Sequence, residues 1–244
     1  SKEVINVREN VGLIEVANFS KHEFKGPDAR KFLDHIMAGR LPKPGRISLS
    51  PMLSYRGKLC GDLTVACLDE NEFMVFGSGA AQEMHRRWFE SHLDKFNLSY
   101  SNRSDEYHGL SIAGPNSRKV LEKIVRDDVS NEKFKFRDSR RMFVGGVPAI
   151  INRISFTGEL GYEIYVAPHY QLKLYEELME AGKEFNIKPF GGRALMSMRL
   201  EKNWGAWTLD YRPDFTAKET GLDAFINWDK EFIGKESAQK ENSS

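Results

Sequence analysis

The sequence predicts an α+β fold on three observations. Short apolar segments with strand-like alternation are joined by hairpin-type turns, amphipathic stretches lie among them, and no glycine-rich strand-to-helix turn of a parallel nucleotide-binding sheet occurs. Residues 63–68 and 73–76 read as a hairpin around Asp69-Glu70-Asn71-Glu72. Residues 80–95 follow as a helix with Met84, Trp88 and Leu93 near one face. Gly145-Gly146 turns a strand at 142–144 into another at 147–154, and 161–166 extends the same sheet. Residues 170–185 and 193–203 are further helices. With neither a dinucleotide fingerprint nor a P-loop, no flavin or nicotinamide site is expected within the chain.

An internal echo divides these elements. Gly26-Pro27-Asp28-Ala29-Arg30-Lys31-Phe32-Leu33 returns as Gly114-Pro115-Asn116-Ser117-Arg118-Lys119-Val120-Leu121, with Ile36 and Ile124 three residues further on. Each copy follows a short apolar segment, at 19–24 and 110–113, and each puts a proline at a helix start, where its missing N–H costs nothing. Two related strand–turn–helix units are expected, and hence two lobes; two copies are too few for a solenoid.

Composition removes several classes. The 244 residues suffice for a full core, and at 40% hydrophobic and 29% charged they match a soluble globular protein. A net charge of +1 argues against bulk nucleic-acid binding. No apolar run approaches the roughly 20 residues of a membrane-crossing helix, and residues 1–10 lack a secretory hydrophobic stretch. Cys60 and Cys67 are the only cysteines and no Cys/His cluster has ligand spacing, so neither a disulfide nor a metal site is expected. The expectation is a cytoplasmic protein, or a mitochondrial-matrix one in a eukaryote.

Two segments carry candidate chemistry. In Gly61-Asp62-Leu63-Thr64-Val65 the aspartate opens a strand, and alternation points Asp62 and Thr64 to one face, a carboxylate beside a hydroxyl. An aspartate ending a turn also reads as a solvated cap. In Arg153-Ile154-Ser155-Phe156-Thr157-Gly158-Glu159-Leu160-Gly161-Tyr162-Glu163, the glycines suggest a tight turn holding Phe156 and Glu163 on opposed arms. Glu163 is an acid where the apolar strand expects none, and it needs a partner. Arg153 or Arg199 would serve, as would the paired N–H donors of a guanidine-like heterocycle edge such as a pterin's.

Four ordered motifs then resemble the glycine-cleavage T-protein (aminomethyltransferase) family. They are Thr157-Gly158-Glu159-x-Gly161-x-Glu163-Ile164, Asp62-Leu63-Thr64-Val65, Met198-Arg199-Leu200-Glu201-Lys202 and Phe232-Ile233-Gly234-Lys235-Glu236, in an order that covers about residues 11–240. Segments such as Leu200-Glu201-Lys202 and Asp210-Tyr211-Arg212-Pro213-Asp214 look most like the folate module of dimethylglycine and sarcosine dehydrogenases. The resemblance implies a two-lobed folate-binding fold over 1–244 with mainly antiparallel sheets and flanking helices. It implies a chain that begins inside the first lobe and ends before the family's C-terminal β-barrel. It further implies tetrahydrofolate as cofactor and capture, as 5,10-methylenetetrahydrofolate, of a carbon from an iminium that a flavin amine dehydrogenase domain or subunit makes. By motif position Asp62 is catalytic; Leu49, Thr64, Phe76, Phe156, Glu163 and Tyr165 line or hold the pterin. Arg193 stands two positions before the family's Ala-Arg-Asp triplet, here Ala194-Leu195-Met196, and is carried as a further ligand contact. Two alternatives remain: methyl transfer from a sulfonium or other donor to tetrahydrofolate, and non-catalytic folate binding. A basic run over residues 118–141, including Arg140 and Arg141, is a candidate surface for an acidic folate tail and equally a solvated face.

Overall fold

The computed structural model describes residues 1–242. In chain order the elements are α1 (Lys2–Glu9), β1 (Val11–Glu15), β2 (Ser20–Lys25), α2 (Ala29–Ile36), the meander β3 (Arg46–Leu53), β4 (Leu59–Asp69) and β5 (Glu72–Gly77), then α3 (Gln82–Glu90), β6 (Ser99–Asn102) and β7 (His108–Ala113). They continue with α4 (Ser117–Glu122), the hairpin β8 (Ser139–Val144) and β9 (Val147–Asn152), β10 (Gly161–Val166), α5 (Gln171–Gly182), β11 (Ile187–Pro189), α6 (Gly192–Glu201), α7 (Ala217–Thr220) and α8 (Lys235–Asn242). The class is α+β as expected: two open sheets run β11-β1-β7-β10-β9-β8 and β3-β4-β5-β2-β6, and of these strands only β1 and β11 pair in parallel.

Ser1–Asn18 with Ser104–Trp204 make one compact unit, and Phe19–Arg103 with the chain from Gly205 make another. The first unit holds the six-stranded sheet. One face buries Leu13, Ile112, Ile151, Tyr162 and Ile164 against Val120 and Leu121 of α4 and Leu174 and Leu178 of α5. Each such side chain contributes about 1.5–3 kcal/mol on leaving water. On the other face Ala113 packs with Val7 of α1 and with Ala194 and Met198 of α6. A sheet covered on both faces explains why β7 and β10 read as near-continuous apolar runs, and why Ser111 and Glu163 stand out within them.

The second unit holds the five-stranded sheet. Phe24, Val65, Phe73 and Val75 pack on one face against Phe32, Leu33 and Ile36 of α2 and Phe89 of α3. The echoed segment occurs once in each unit with the same backbone: Gly26 and Gly114 both have φ +134, and the following caps Asp28 (φ −99, ψ 6) and Asn116 (φ −94, ψ 1) agree. Glycine is needed there twice over. A Cβ on Gly26 would lie 2.8 Å from Leu98 Cα, and one on Gly114 would lie 2.5 Å from Asn10 O.

Two expected elements differ. The helix expected over 80–95 stops at Glu90, because Ser91 Oγ and His92 Nδ1 both donate to Trp88 O, at 2.9 and 2.6 Å, and take the last-turn carbonyl. With Leu93 outside the helix, its buried face is His85 and Phe89. The strand expected to run to 154 ends at Asn152.

Candidate functional site

Asp62 does not open its strand; it is the fourth residue of β4, which starts at Leu59. The alternation holds, so Asp62 and Thr64 share a face. Register then sets Leu49, Thr64 and Phe76 directly opposite one another across β3, β4 and β5, with Asp62 and its partner Pro51 in the next row. The β4–β5 ladder stops at Thr64 and Phe76, which leaves Asp62 beyond the end of the pairing with β5. Half-buried, with no side-chain partner among the described residues, its carboxyl is pushed by burial from 3.8 up to about 7.

What holds this stretch of β4 is a residue that sequence reading did not single out. His85 of α3 donates Nε2–H to Cys60 O at 2.9 Å, two residues before Asp62. A Cβ on Gly61 would lie 2.8 Å from that nitrogen, so glycine is what lets the helix dock here. His85 is 1% exposed and burial lowers its pKa; neighbouring His22, whose Nδ1 lies 2.8 Å from Tyr100 Oη, is pushed down to about 3 by burial. Both rings are therefore neutral at physiological pH. Cys60 and Cys67 are free thiols, and burial raises Cys60 to about 11, where it is no nucleophile. A histidine four residues before Phe89 on the buried face of the helix, together with a glycine before the aspartate, was the available signal.

In the first unit Glu163 and Tyr165 share a face of β10, and the Tyr165 hydroxyl donates to Glu163 Oε2 at 2.8 Å. That leaves Oε1 without a hydrogen bond among the described residues. The Tyr165 ring is fully buried and lies over Gly109, whose Cβ would meet it at 2.7 Å. Burial raises the half-buried Glu163 carboxyl from 4.5 to about 7, against the opposing pull of the Tyr165 hydroxyl and the Lys202 ammonium. Arg153 and Arg199 do not supply the partner: they donate to Phe134 O at 2.6 Å and Trp204 O at 2.9 Å.

Glu163 belongs to a polar row that only the sheet register reveals. Ser139, Asn152, Glu163 and Ser111 are consecutive partners across β8, β9, β10 and β7. Ser139 Oγ donates to Asn152 Oδ1 at 2.7 Å, and Asn152 Nδ2 is left buried with no partner. Asn152 is fully buried, so the half-buried Glu163 carboxylate is the member of this row that a ligand's N–H edge can reach.

Phe156 is half-buried on the loop over residues 153–160, not on a hairpin arm. Local hydroxyl bonds replace the ladder there: Ser155 Oγ and Thr157 Oγ1 are 2.7 Å apart, and the Thr157 and Glu159 amides donate back to them at 3.2 Å. Gly158 turns the loop at φ +85. From outside, Lys202 Nζ donates to Ser155 O at 2.9 Å, while Arg8 Nη1 reaches Thr157 O and Glu159 Oε1 at 2.9 and 2.7 Å. Arg193 is exposed in the first turn of α6, where the helix dipole disfavours a cation, and it makes no ion pair or hydrogen bond among the described residues. The structure thus groups Leu49, Thr64, Phe76 and Asp62 on one sheet, and Glu163 with Tyr165 on the other. Arg193 joins neither cluster through a bond of its own.

Residues 1–230 match the GCVT N-terminal domain family. The chain is 36% identical over 239 residues to mitochondrial dimethylglycine dehydrogenase of Mus musculus, which covers 96% of this chain and 27% of that protein. It is 30% identical over 240 residues to the aminomethyltransferase of Desulfitobacterium hafniense strain Y51, over 96% of this chain and 65% of that one. The chain therefore spans about a quarter of the dehydrogenase it matches and about two thirds of the transferase. In fold it is similar to the crystal structure of glycine cleavage system aminomethyltransferase T from Bartonella henselae, with a TM-score of 0.89 at 22% identity over 99% of this chain and 66% of that one.

Proposed function

Starting from a chain that belongs to the GCVT N-terminal domain family, we propose that it binds tetrahydrofolate and transfers a one-carbon unit to it. When bound, the folate supplies a nucleophilic ring nitrogen. Glu163 Oε1 accepts a pterin N–H. Tyr165 holds the carboxylate at the other oxygen, and Phe156 offers a ring for stacking. On the second unit, taken by itself, the row Leu49–Thr64–Phe76 sets one hydroxyl among apolar side chains beside Asp62.

Asp62 is the acid–base group. The first bond from a folate nitrogen to the iminium carbon releases a proton, which a carboxylate takes and returns to the donor nitrogen as its bond to that carbon breaks and the amine leaves. The second folate nitrogen then closes on the carbon and loses its own proton. A carboxyl raised to about 7 is poised between its two protonation states at neutral pH, which suits a group that must accept and return a proton. The observation that carries the reading is the Glu163 carboxylate: half-buried, held by Tyr165 at one oxygen and unpartnered at the other among the described residues.

The donor we assign is an iminium made from an N-methyl glycine, dimethylglycine or sarcosine, by a flavin amine dehydrogenase domain or subunit, with 5,10-methylenetetrahydrofolate as product. The higher identity to dimethylglycine dehydrogenase than to aminomethyltransferase, 36% against 30%, supports that choice. Titration of the purified chain with tetrahydrofolate tests the binding, with Glu163→Gln run in parallel. Saturable binding weakened by the substitution is expected; a native chain that binds no folate at millimolar concentration ends the proposal.

A further inference from the structure

We propose that Lys202 is a positioning residue of the Glu163 cluster, one that clamps the loop bearing Phe156 and supplies the counter-charge to Glu163. Its role in ligand binding rests on the folate reading above; its placement does not. Lys202 follows α6, and α6 packs through Ala194 and Met198 on Ala113. Ala113 is the register partner of Gly161, which shares its face of β10 with Glu163 two residues on. The loop is pressed to that same face. A Cβ on Gly161 would lie 2.6 Å from Ser155 Cβ, so Ser155 sits where a side chain at 161 would have stood.

Lys202 closes this arrangement from above. Its Nζ donates to Ser155 O at 2.9 Å, and its Cβ would lie 3.4 Å from a Cβ on Gly158, so stem and ammonium both bear on the loop that carries Phe156. The ammonium interacts with Glu163 as well, each favouring the charged form of the other. Among the described residues Lys202 is the one charge that acts on that carboxylate; the strands around it offer Tyr165 on β10, Asn152 on β9 and Ser111 on β7. Lys202 thus favours the anionic form of Glu163, the form that accepts from the Tyr165 hydroxyl and a ligand N–H together. The same ammonium fixes the position of Phe156, so pterin recognition and ring stacking are set by one side chain.

The test separates clamp from charge. Lys202→Gln keeps an N–H donor for Ser155 O and removes the charge, Lys202→Met removes both, and Lys202→Arg keeps both. Glu163 is followed by NMR titration of the full chain labelled with 13C-glutamate, its signal identified by its loss in Glu163→Gln. The expected result is a rise in the Glu163 midpoint by roughly half a pH unit or more in the Gln and Met variants, with little change in Arg. Tetrahydrofolate affinity measured from pH 6 to 8.5 should then weaken at a correspondingly higher pH in Lys202→Gln, with near-native affinity regained at the alkaline end. An unchanged Glu163 midpoint in Lys202→Gln overturns the proposal. A native chain that binds no tetrahydrofolate overturns the folate reading instead, and the NMR midpoint still decides the placement of Lys202.

Discussion

Replacing Asp62 by asparagine should raise stability while removing chemistry, and the two effects have different pH dependences. The carboxyl, ordinarily at 3.8, is held at about 7 in the fold. Below pH 3.8 both folded and unfolded chains keep the proton, and the side chain costs nothing. Between about 4 and 7 the unfolded chain has released its proton while the fold retains it, so stability falls as pH rises, and the loss is complete above about 7. At about 1.4 kcal/mol per pH unit, the span from 3.8 to about 7 sets a ceiling of roughly 4 kcal/mol. Asp62 is only half-buried, and water screens part of this, so about 1–2 kcal/mol is the working expectation. Asparagine carries no charge at any pH and recovers that cost. Thermal melts should therefore show Asp62→Asn above the native chain by roughly 2–8 °C at pH 8, and by clearly less at pH 5. Folate affinity should stay within roughly 1–2 kcal/mol, since the amide keeps the shape. Carbon transfer, assayed with the amine-oxidising partner supplied, should fall about 10²-fold or more. A melting shift equal at both pH values would refute the burial argument, and transfer at the native rate would remove Asp62 from the chemistry.

Glu163→Gln should cost about 1.5–3 kcal/mol of tetrahydrofolate affinity, because the charged acceptor of a pterin N–H is lost. Its melts follow the same sign as Asp62→Asn, the carboxyl being raised to about 7, so a lower melting point at pH 8 with unchanged affinity would make Glu163 purely structural. Tyr165→Phe removes the hydroxyl that holds Glu163 Oε2 and should weaken folate binding by about 0.5–1.5 kcal/mol; unchanged titration curves would count against a preset carboxylate. Gly109→Ala forces a Cβ to 2.7 Å from the buried Tyr165 ring and should destabilise the chain by about 1–3 kcal/mol in urea unfolding, whereas a neutral result would show that the ring can move. Arg140 already donates to Asp138 and Lys133 O, so Arg140→Gln with Arg141→Gln should reduce any polyglutamate advantage only in part. The loss should shrink with salt and leave monoglutamate affinity unchanged; equal losses for both forms would sink a tail-binding role.

Several features were legible in the chain itself because they arise within a few residues. The alternation through Asp62 and Thr64, the Gly145-Gly146 hairpin and the echoed glycine–proline helix starts all follow from local backbone preference, and the structure shows each of them. Glu163 drew notice as an acid in an apolar strand, since a charge among buried neighbours needs a partner wherever the strand is placed. The partner itself was not legible: neither arginine fills the role, and Tyr165 meets the carboxylate from two residues along the same strand. The row Ser139–Asn152–Glu163–Ser111 joins the β8–β9 hairpin and β10 to β7, which α4 separates from them in the chain, and register alone lines them up. The same holds for His85 on Cys60 O and Lys202 on Ser155 O, contacts 25 and 47 residues apart in sequence. Spacing along a chain reports the period and the caps of an element, because those depend on neighbouring dihedrals and nearby hydrogen bonds. Which distant side chain satisfies a buried polar group depends on where packing sets the elements down, and that is decided only when the sheets and helices close on their cores.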